Sequence, residues 1–270
     1  MLNIIIPTKN NYVALSGLLS SLVSGMPVTT DKKEVHIVIV DATPAHAPSG
    51  IQPQLERLCK FLNVTYLTFN QDKGDVNSQR LRGLEEFDDS EVVFCLDDDL
   101  VLVDSYFEEA CYIGRHLITG TMFGVTVDML NDRGYEDYCI EGAQDNSHAF
   151  TSMSASGGAY LCDSASVRSH TATVGHMIAP VRKFRNVLEW TKANSNHPAI
   201  ADDAAATILA RTTGGPLLHN GLKAWHVGNY NNNWHSLNMT MAEKQAAVDA
   251  LAIKGIEELG YEQVERTESL

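Results

Sequence analysis

The first hundred residues alternate between short apolar runs and longer segments in which apolar residues recur at helical spacing. Four of the runs have the length and composition of buried strands: residues 4–6, 35–40, 64–69 and 92–96. The segments between them have a helical period: residues 12–23, 51–62 and 75–87. Strands that are apolar on both faces bury both faces of their sheet, and the amphipathic helices between them can pack there. The pattern therefore predicts an α/β fold with a mostly parallel, Rossmann-type sheet between two layers of helices.

Two local predictions follow from the same pattern. Pro7 is expected to end the first strand, because proline cannot donate to a sheet ladder. In the third helical segment the inward positions are predicted to be Val76, Leu81 and Leu84.

After residue 100 the pattern is looser. Helices are predicted at 104–116, 198–211 and 240–259, strands at 120–127 and 158–162, and a loop over 131–156, whereas residues 180–196 are marked only by a cluster of basic and aromatic residues. No repeat, linker or low-complexity tract interrupts the sequence, so a single domain over 1–270 is expected.

Composition narrows the class of protein. Hydrophobic residues make up 44% of the chain, enough for a core, and the net charge of -14 disfavours non-specific binding to nucleic acid or anionic lipid. Five cysteines show no metal-ligand spacing, which favours core thiols in a reducing compartment. We see neither a signal peptide nor an apolar run of membrane-spanning length, so a cytoplasmic location is expected.

Polar residues follow three of the predicted strands at the point where each ends. They are the turn at residues 7–10, Asp41, and the triplet Asp97, Asp98 and Asp99. Ligands of open α/β sheets bind outside the carboxyl ends of the strands. Adjacent carboxylates at a buried strand end are costly unless a cation is present, and Mg²⁺ or Mn²⁺ prefers such oxygen ligands. The triplet therefore predicts a divalent-metal site, with a solvated acidic turn as the alternative.

These motifs, in this order, resemble the family 2 glycosyltransferases with the GT-A fold. Residues 4–10 are similar to the family's opening strand and turn, residues 37–43 to its second strand with a nucleoside-binding aspartate, and residues 79–84 to its arginine-containing helix, although Leu81 replaces the usual Asn. Residues 94–99 resemble the strand with the Asp-x-Asp metal motif. The resemblance implies the following nucleotide-sugar contacts: Pro7, Thr8, Lys9, Asp41, Arg80, Asp97 and Asp98.

The second half of the chain adds three further matches. Gly157 and Gly158 resemble the glycine-rich segment under the donor sugar. Asp202 and Asp203 resemble the acidic pair at a helix start, with Asp202 in place of Glu and Asp203 at the position of the general base. His226 resembles a strand-end metal ligand, with His235 as its competitor. The resemblance assigns residues 1–100 to a nucleotide-binding half and 101–270 to an acceptor-binding half, and it implies a smaller acceptor-side part toward the C-terminal end.

Together these matches imply an inverting transfer of one hexose or pentose from a nucleotide-sugar, with UDP the expected carrier. Asp97 or Asp98, Asp99 and His226 would hold Mn²⁺ or Mg²⁺, and Asp203 would take the proton of the acceptor hydroxyl. Which of Asp97 and Asp98 joins Asp99 at the metal stays open, and a retaining enzyme could share most of the metal site.

Other functions fit the sequence less well. A nucleotidyltransferase of sugar phosphates should have a glycine-rich loop after the first strand, and a dinucleotide-binding oxidoreductase needs Gly-x-Gly-x-x-Gly there; residues 7–11 contain no glycine. A non-catalytic nucleotide-sugar-binding protein stays possible, because Asp202 departs from the motif.

The acceptor cannot be identified from the motifs. Three basic residues and an aromatic one lie within residues 180–196: Arg182, Lys183, Arg185 and Trp190. They are either a solvated helix face or a site for an anionic acceptor, such as a phosphorylated glycan, a lipid phosphate or a modified nucleic-acid base.

Overall fold

The computed structural model describes residues 2–26, 34–43, 52–69, 75–102, 125–130, 166–168, 176–212, 217–227 and 239–263. In chain order the elements are β1 (Leu2–Thr8), α1 (Tyr12–Gly25), β2 (Val35–Asp41), α2 (Gln52–Phe61), β3 (Val64–Thr68), α3 (Val76–Leu84), β4 (Val92–Leu96), β5 (Leu100–Leu102), β6 (Val125–Leu130), β7 (Ser166–Arg168), β8 (His176–Pro180), α4 (Val181–Asn194), α5 (Pro198–Thr212), β9 (Leu217–Val227) and α6 (Met241–Glu258).

A five-stranded sheet forms the centre of the fold, in the order β3-β2-β1-β4-β8. The first four of these strands are parallel, and β8 pairs antiparallel with β4 at one edge. Because these four strands are parallel, the carboxyl ends of β1, β2, β3 and β4 lie side by side at the same end of the sheet. Ligands of such sheets bind outside these carboxyl ends.

Alternate residues of the strands divide the core into two layers. Ile4 and Ile6 of β1 pack with α1 and α2, whereas Ile5 packs with α3, α4, α5 and α6. Side chains of a strand alternate between the two faces of the sheet, so helices cover both faces. The predicted α/β fold with a mostly parallel sheet is confirmed.

Pro7 does not end β1, contrary to the expectation. The strand runs to Thr8, and Pro7 lies opposite Val40 of β2. Pairing of β1 with β4 covers only Asn3 to Ile5, so Pro7 lies beyond the part of the strand that has a partner on both sides. A proline is tolerated there because it interrupts no two-sided ladder.

Helix α3 buries polar residues beside only part of the predicted apolar face, since of the three predicted inward positions Leu84 alone is fully buried. Val76 and Leu81 are only half-buried, whereas Asn77, Ser78, Gln79 and Arg80 are buried. Gln79 shows why, since its Nε2 donates to the carbonyl oxygens of Thr8 and Val40, both at 2.8 Å. The helix thus satisfies backbone acceptors at the ends of β1 and β2, which a buried apolar side chain could not do.

A second sheet has the order β5-β9-β6, and β7 pairs with β9. The predicted strand at 120–127 corresponds to β6, which begins at Val125 and continues to Leu130. Helices α5 and α6 match the predicted helices to within one residue, and α4 covers most of the 180–196 segment that contains the basic and aromatic cluster. The predictions for 104–116, 131–156 and 158–162 lie outside the described residues. Among the described helices, none is long and apolar enough to cross a bilayer.

Candidate active site

Asp98 ties the acidic triplet to the turn after β1. Its carboxylate accepts hydrogen bonds from Thr8 Oγ1 at 2.5 Å and from Asn11 Nδ2 at 2.9 Å. Burial raises the pKa of Asp98 to about 7, against the effect of these two donors. The predicted nucleotide-binding turn therefore lies beside the triplet, at the carboxyl ends of β1 and β4.

Asp97 and Asp99 flank this residue in different surroundings. The Asp97 side chain is 36% exposed and its Oδ1 lies 3.0 Å from Nη2 of Arg80, whereas Asp99 is buried. Leu100 pairs with His226 in the antiparallel register of β5 and β9, so the backbone of His226 lies next to the residue that follows Asp99. The strand pairing thus brings His226 to the triplet, from far along the chain.

The donor chemistry of this strand end suits a hard divalent cation, because carboxylate oxygens are its preferred ligands. Among the side chains that the structure describes, no three His, Cys, Asp or Glu are arranged around a common metal position. The metal roles of Asp97, Asp99 and His226 stay predictions.

Asp41, at the end of β2, is surrounded by donors. Its Oδ2 accepts from the hydroxyls of Tyr12 at 3.0 Å and Tyr66 at 2.6 Å, and its Oδ1 from the backbone N–H of Thr43 at 2.8 Å. Burial and then the hydrogen bond to Asp41 raise the pKa of Tyr66 above its ordinary value. The tyrosines therefore stay protonated donors that hold the carboxylate in place.

The turn between β1 and α1 carries the remaining residues of the first motif. Pro7 and Thr8 are buried and Lys9 is exposed. Asn10 has a positive φ of 55°, and its N–H donates to Thr43 Oγ1 at 2.8 Å. Asparagine tolerates this left-handed conformation better than most residues, which accounts for its place in the turn.

Arg80 connects the strand end to helix α5. Its side chain is only 1% exposed, yet it forms an ion pair with Asp97 and a second one with Asp202. Its Nε donates to Cys95 Sγ at 3.1 Å, and its Nη1 to Asn77 Oδ1 at 3.2 Å. Burial lowers the pKa of the guanidinium, but Asp202, Cys95 and Asp97 raise it to above its ordinary value. The structure therefore holds a permanently charged arginine between two separated acidic motifs.

The two adjacent acids near the start of α5 have different cationic partners. Asp202 pairs with Arg80, whereas Oδ2 of Asp203 lies 2.7 Å from Nζ of Lys244 in α6. Burial raises the pKa of Asp202. Burial and then the neighbouring Asp202 raise the pKa of Asp203 to about 7, and Lys244 opposes that rise. The predicted base thus has a pKa close to neutrality.

Sequence reasoning did not identify Tyr12, Tyr66 or Lys244 as site residues. Nothing in the strand pattern around Tyr66 indicates that its hydroxyl reaches Asp41. The sequence does indicate that Lys244 is buried. It precedes Ala247, Val248 and Leu251 by three, four and seven residues and therefore lies on the helix face that α6 buries. A charged residue on an apolar helix face points to a buried partner.

Gly157 and Gly158 lie outside the described residues, and their predicted role under the donor sugar stays a prediction. Three of the four residues in the basic and aromatic cluster make contacts within the fold, among them Trp190, whose Nε1 donates to Glu258 Oε2 at 3.1 Å. Lys183 Nζ donates to the carbonyl of Thr212 at 2.7 Å, and Arg185 Nη2 to that of Leu84 at 2.9 Å. Lys183 and Arg185 thus donate hydrogen bonds to backbone carbonyls at the ends of α5 and α3. These contacts favour a role of the two cations within the fold over a site for an anionic acceptor.

Residues 3–111 match the family described as Glycosyl transferase family 2. No curated protein sequence matches the chain.

Several solved structures share the fold. S. aureus TarS is 14% identical, with a TM-score of 0.55 over 94% of this chain and 43% of TarS. The Pyrobaculum calidifontis mannosyltransferase PcManGT, solved with GDP-Man and Mn²⁺, is 14% identical, with a TM-score of 0.55 over 94% of this chain and 64% of its own. GalNAc-T7, solved with UDP, GalNAc and Mn²⁺, is 12% identical, with a TM-score of 0.58 over 96% and 56%.

At these identities the likeness establishes the fold, which is the GT-A fold expected from the sequence. The chain spans less than two thirds of the length of each of these three proteins. The resemblance to family 2 and the GT-A architecture are confirmed.

Proposed function

Since residues 3–111 match the family described as Glycosyl transferase family 2, we propose that this protein transfers one sugar from a nucleotide-sugar, with UDP as the carrier, to an acceptor hydroxyl. The choice of carrier is supported by TarS, which has been crystallised with UDP-GlcNAc and with UDP. PcManGT was solved with GDP-Man, so a guanine nucleotide is the competing carrier.

One observation carries the proposal. The buried guanidinium of Arg80 contacts Asp97, 17 residues away in sequence, and Asp202, 122 residues away. The fold therefore unites the acidic strand end with the acidic helix, the two places where a donor diphosphate and a catalytic base are needed.

Asp203 is proposed as the general base of an inverting reaction. Its carboxylate would take the proton of the acceptor hydroxyl as that oxygen bonds to the anomeric carbon. The bond from the anomeric carbon to the diphosphate breaks on the opposite face, and the diphosphate leaves with the electron pair. A carboxyl with a pKa near 7 suits this role, because a base works best when its pKa is close to the operating pH.

Asp97, Asp99 and His226 are proposed to hold the divalent cation, which would supply positive charge to the departing diphosphate. Asp41 and Lys9 are proposed to bind the nucleoside and phosphates. Arg80 was predicted on the nucleotide side, and its ion pairs support a second role in fixing the positions of Asp97 and Asp202.

The test is release of UDP from UDP-sugars in the presence of an acceptor mixture, for the wild type and for Asp203→Asn. Loss of the base should lower kcat by about 10²–10⁴, because that is what general-base catalysis contributes. Asp88→Asn is the matched control, since Asp88 is exposed in the turn after α3 and should leave activity unchanged.

In a second experiment, UDP release is measured after a chelator has removed divalent ions and again after Mn²⁺ or Mg²⁺ has been added back. Activity that survives chelation would contradict the metal assignment, and Asp203→Asn activity within a few-fold of the wild type would contradict the base. If the wild type binds UDP-sugars but releases no UDP with any acceptor, the protein is a nucleotide-sugar-binding protein.

A further inference from the structure

Lys244 is a buried lysine that no motif places at the site. It lies on the first turn of α6, its side chain is 5% exposed, and its Nζ is 2.7 Å from Oδ2 of Asp203. Burying an ammonium without compensation is costly, so a lysine in this position needs a close anionic partner. The carboxylate it contacts is the one proposed as the base.

The position of Lys244 is fixed by structure around it. Thr240 caps the helix, its side chain accepting from the N–H of Glu243 while the Glu243 side chain accepts from the N–H of Thr240. Further along the helix, Ala252 and Ile256 belong to the core layer that contains Ala205 and Ile208 of α5. Helix α6 is therefore anchored at its start by its cap and along its length by packing against the helix that carries Asp203.

Three charged groups act on Asp203 from the elements around it. Asp202, its neighbour on α5, raises the pKa of Asp203, whereas Lys244 of α6 and Arg80 of α3 lower it. Arg80 is engaged by Asp97 and Asp202, so Lys244 is the cation in direct contact with Asp203.

We propose that Lys244 is a positioning residue for the general base: it orients Asp203 through Oδ2 and favours the ionised form of the carboxylate, which is the form that accepts the proton of the acceptor hydroxyl. This inference rests on the proposed function. An ionised carboxylate next to a carboxylate neighbour and away from water needs such a cation. Contact at Oδ2 leaves Oδ1 as the oxygen that would face the acceptor proton.

The experiment measures kcat/KM against pH for Lys244→Met and Lys244→Arg. Without the cation the pKa of Asp203 rises, so the acidic limb of the Lys244→Met profile should move up by at least about one pH unit, with kcat/KM at pH 7 at least about fivefold lower. Lys244→Arg should restore the wild-type limb. The position of a limb does not depend on how much enzyme is active, so partial misfolding does not mimic the shift.

Lys254→Met is the matched control, because Lys254 lies on the same helix but is exposed and pairs with Glu258. Should Lys244→Met yield too little folded protein, Lys244→Gln takes its place in the same measurement. A Lys244→Met limb that coincides with that of Lys254→Met, while Asp203→Asn is inactive, overturns the role of Lys244 alone. An active Asp203→Asn overturns the proposed base, and with it this inference.

Discussion

Asp202 and Asp203 show how neighbours separate the roles of two identical side chains. Both are placed by the same helix, and burial raises the pKa of each. Asp202 is paired with an arginine that also binds Asp97, whereas Asp203 is paired with a lysine from another element. An arginine offers several donors in a fixed fork and suits a structural bridge, whereas a lysine contributes a compact charge.

The bridge at Arg80 leads to a prediction about stability. Arg80→Met leaves the buried carboxylate of Asp202 without its cation, and removing one partner of a buried ion pair costs about 3–5 kcal/mol. The free energy of unfolding, measured by urea denaturation, should fall by that order. Arg82→Met is the control on the same helix, since among the described residues Arg82 pairs with Glu85 and Glu86, whose side chains are 64% and 30% exposed, and its loss should cost less than about 1 kcal/mol. Equal losses in the two variants would contradict the bridge.

At the scale of elements, periodicity predicted the described helices other than α4 and the four parallel strands well. Their apolar residues face a two-sided core, so the pattern and the packing coincide. The predictions that were wrong or incomplete share a physical cause, which is polar contact between elements distant in sequence. In helix α3 the predicted inward residue Leu84 is buried, but the other buried side chains include Gln79 and Asn77, which bind strand carbonyls and a guanidinium, and periodicity cannot detect such contacts. The spacing around Lys244 indicates a buried charge but does not identify Asp203 as its partner, and the contact of Tyr66 with Asp41 depends on tertiary packing that sequence spacing does not encode.

The docking of α6 can be tested at a glycine. A Cβ on Gly255 would lie 2.6 Å from Cδ1 of Ile208 and 2.7 Å from Cζ3 of Trp190, so α6 approaches α4 and α5 closely only because this side chain is absent. Overpacking costs about 1–3 kcal/mol. The better helix propensity of alanine returns about 1 kcal/mol. Gly255→Ala should therefore lower the melting temperature.

Gly17 of α1 provides the comparison, because a Cβ there would meet nothing within 4 Å. Gly17→Ala gains helix propensity without a clash and should raise the melting temperature. Scanning calorimetry of both variants checks the signs, and a Gly255→Ala protein as stable as Gly17→Ala would show that α6 can shift without cost.

For the whole molecule, the net charge of -14 makes proton binding a determinant of stability. The pKa of Asp203 is about 7 in the folded chain, above the value of about 4 for an unfolded aspartate. The folded state thus holds a proton that the unfolded state has lost between these values. The stability contributed by this group is fully present below about pH 4 and is lost as pH rises through about 7.

Metal-free protein should accordingly gain stability when the pH is lowered from 8 to 5, and Asp203→Asn should gain less because its amide does not titrate. Thermal melts in chelator at several pH values measure both slopes. Parallel slopes for the two proteins would contradict a raised pKa at Asp203.

The bridge at Arg80 also sets an order of events during synthesis. A ribosome produces β1 to β4 and Arg80 well before Asp202, and β8, which covers the edge of β4, also comes later. Until then the nascent chain has an open strand edge and a guanidinium with one of its two carboxylates. Contacts so distant in sequence slow folding, and open edges invite pairing with other chains. The charge cluster that unites the site therefore makes the N-terminal half dependent on residues translated after it.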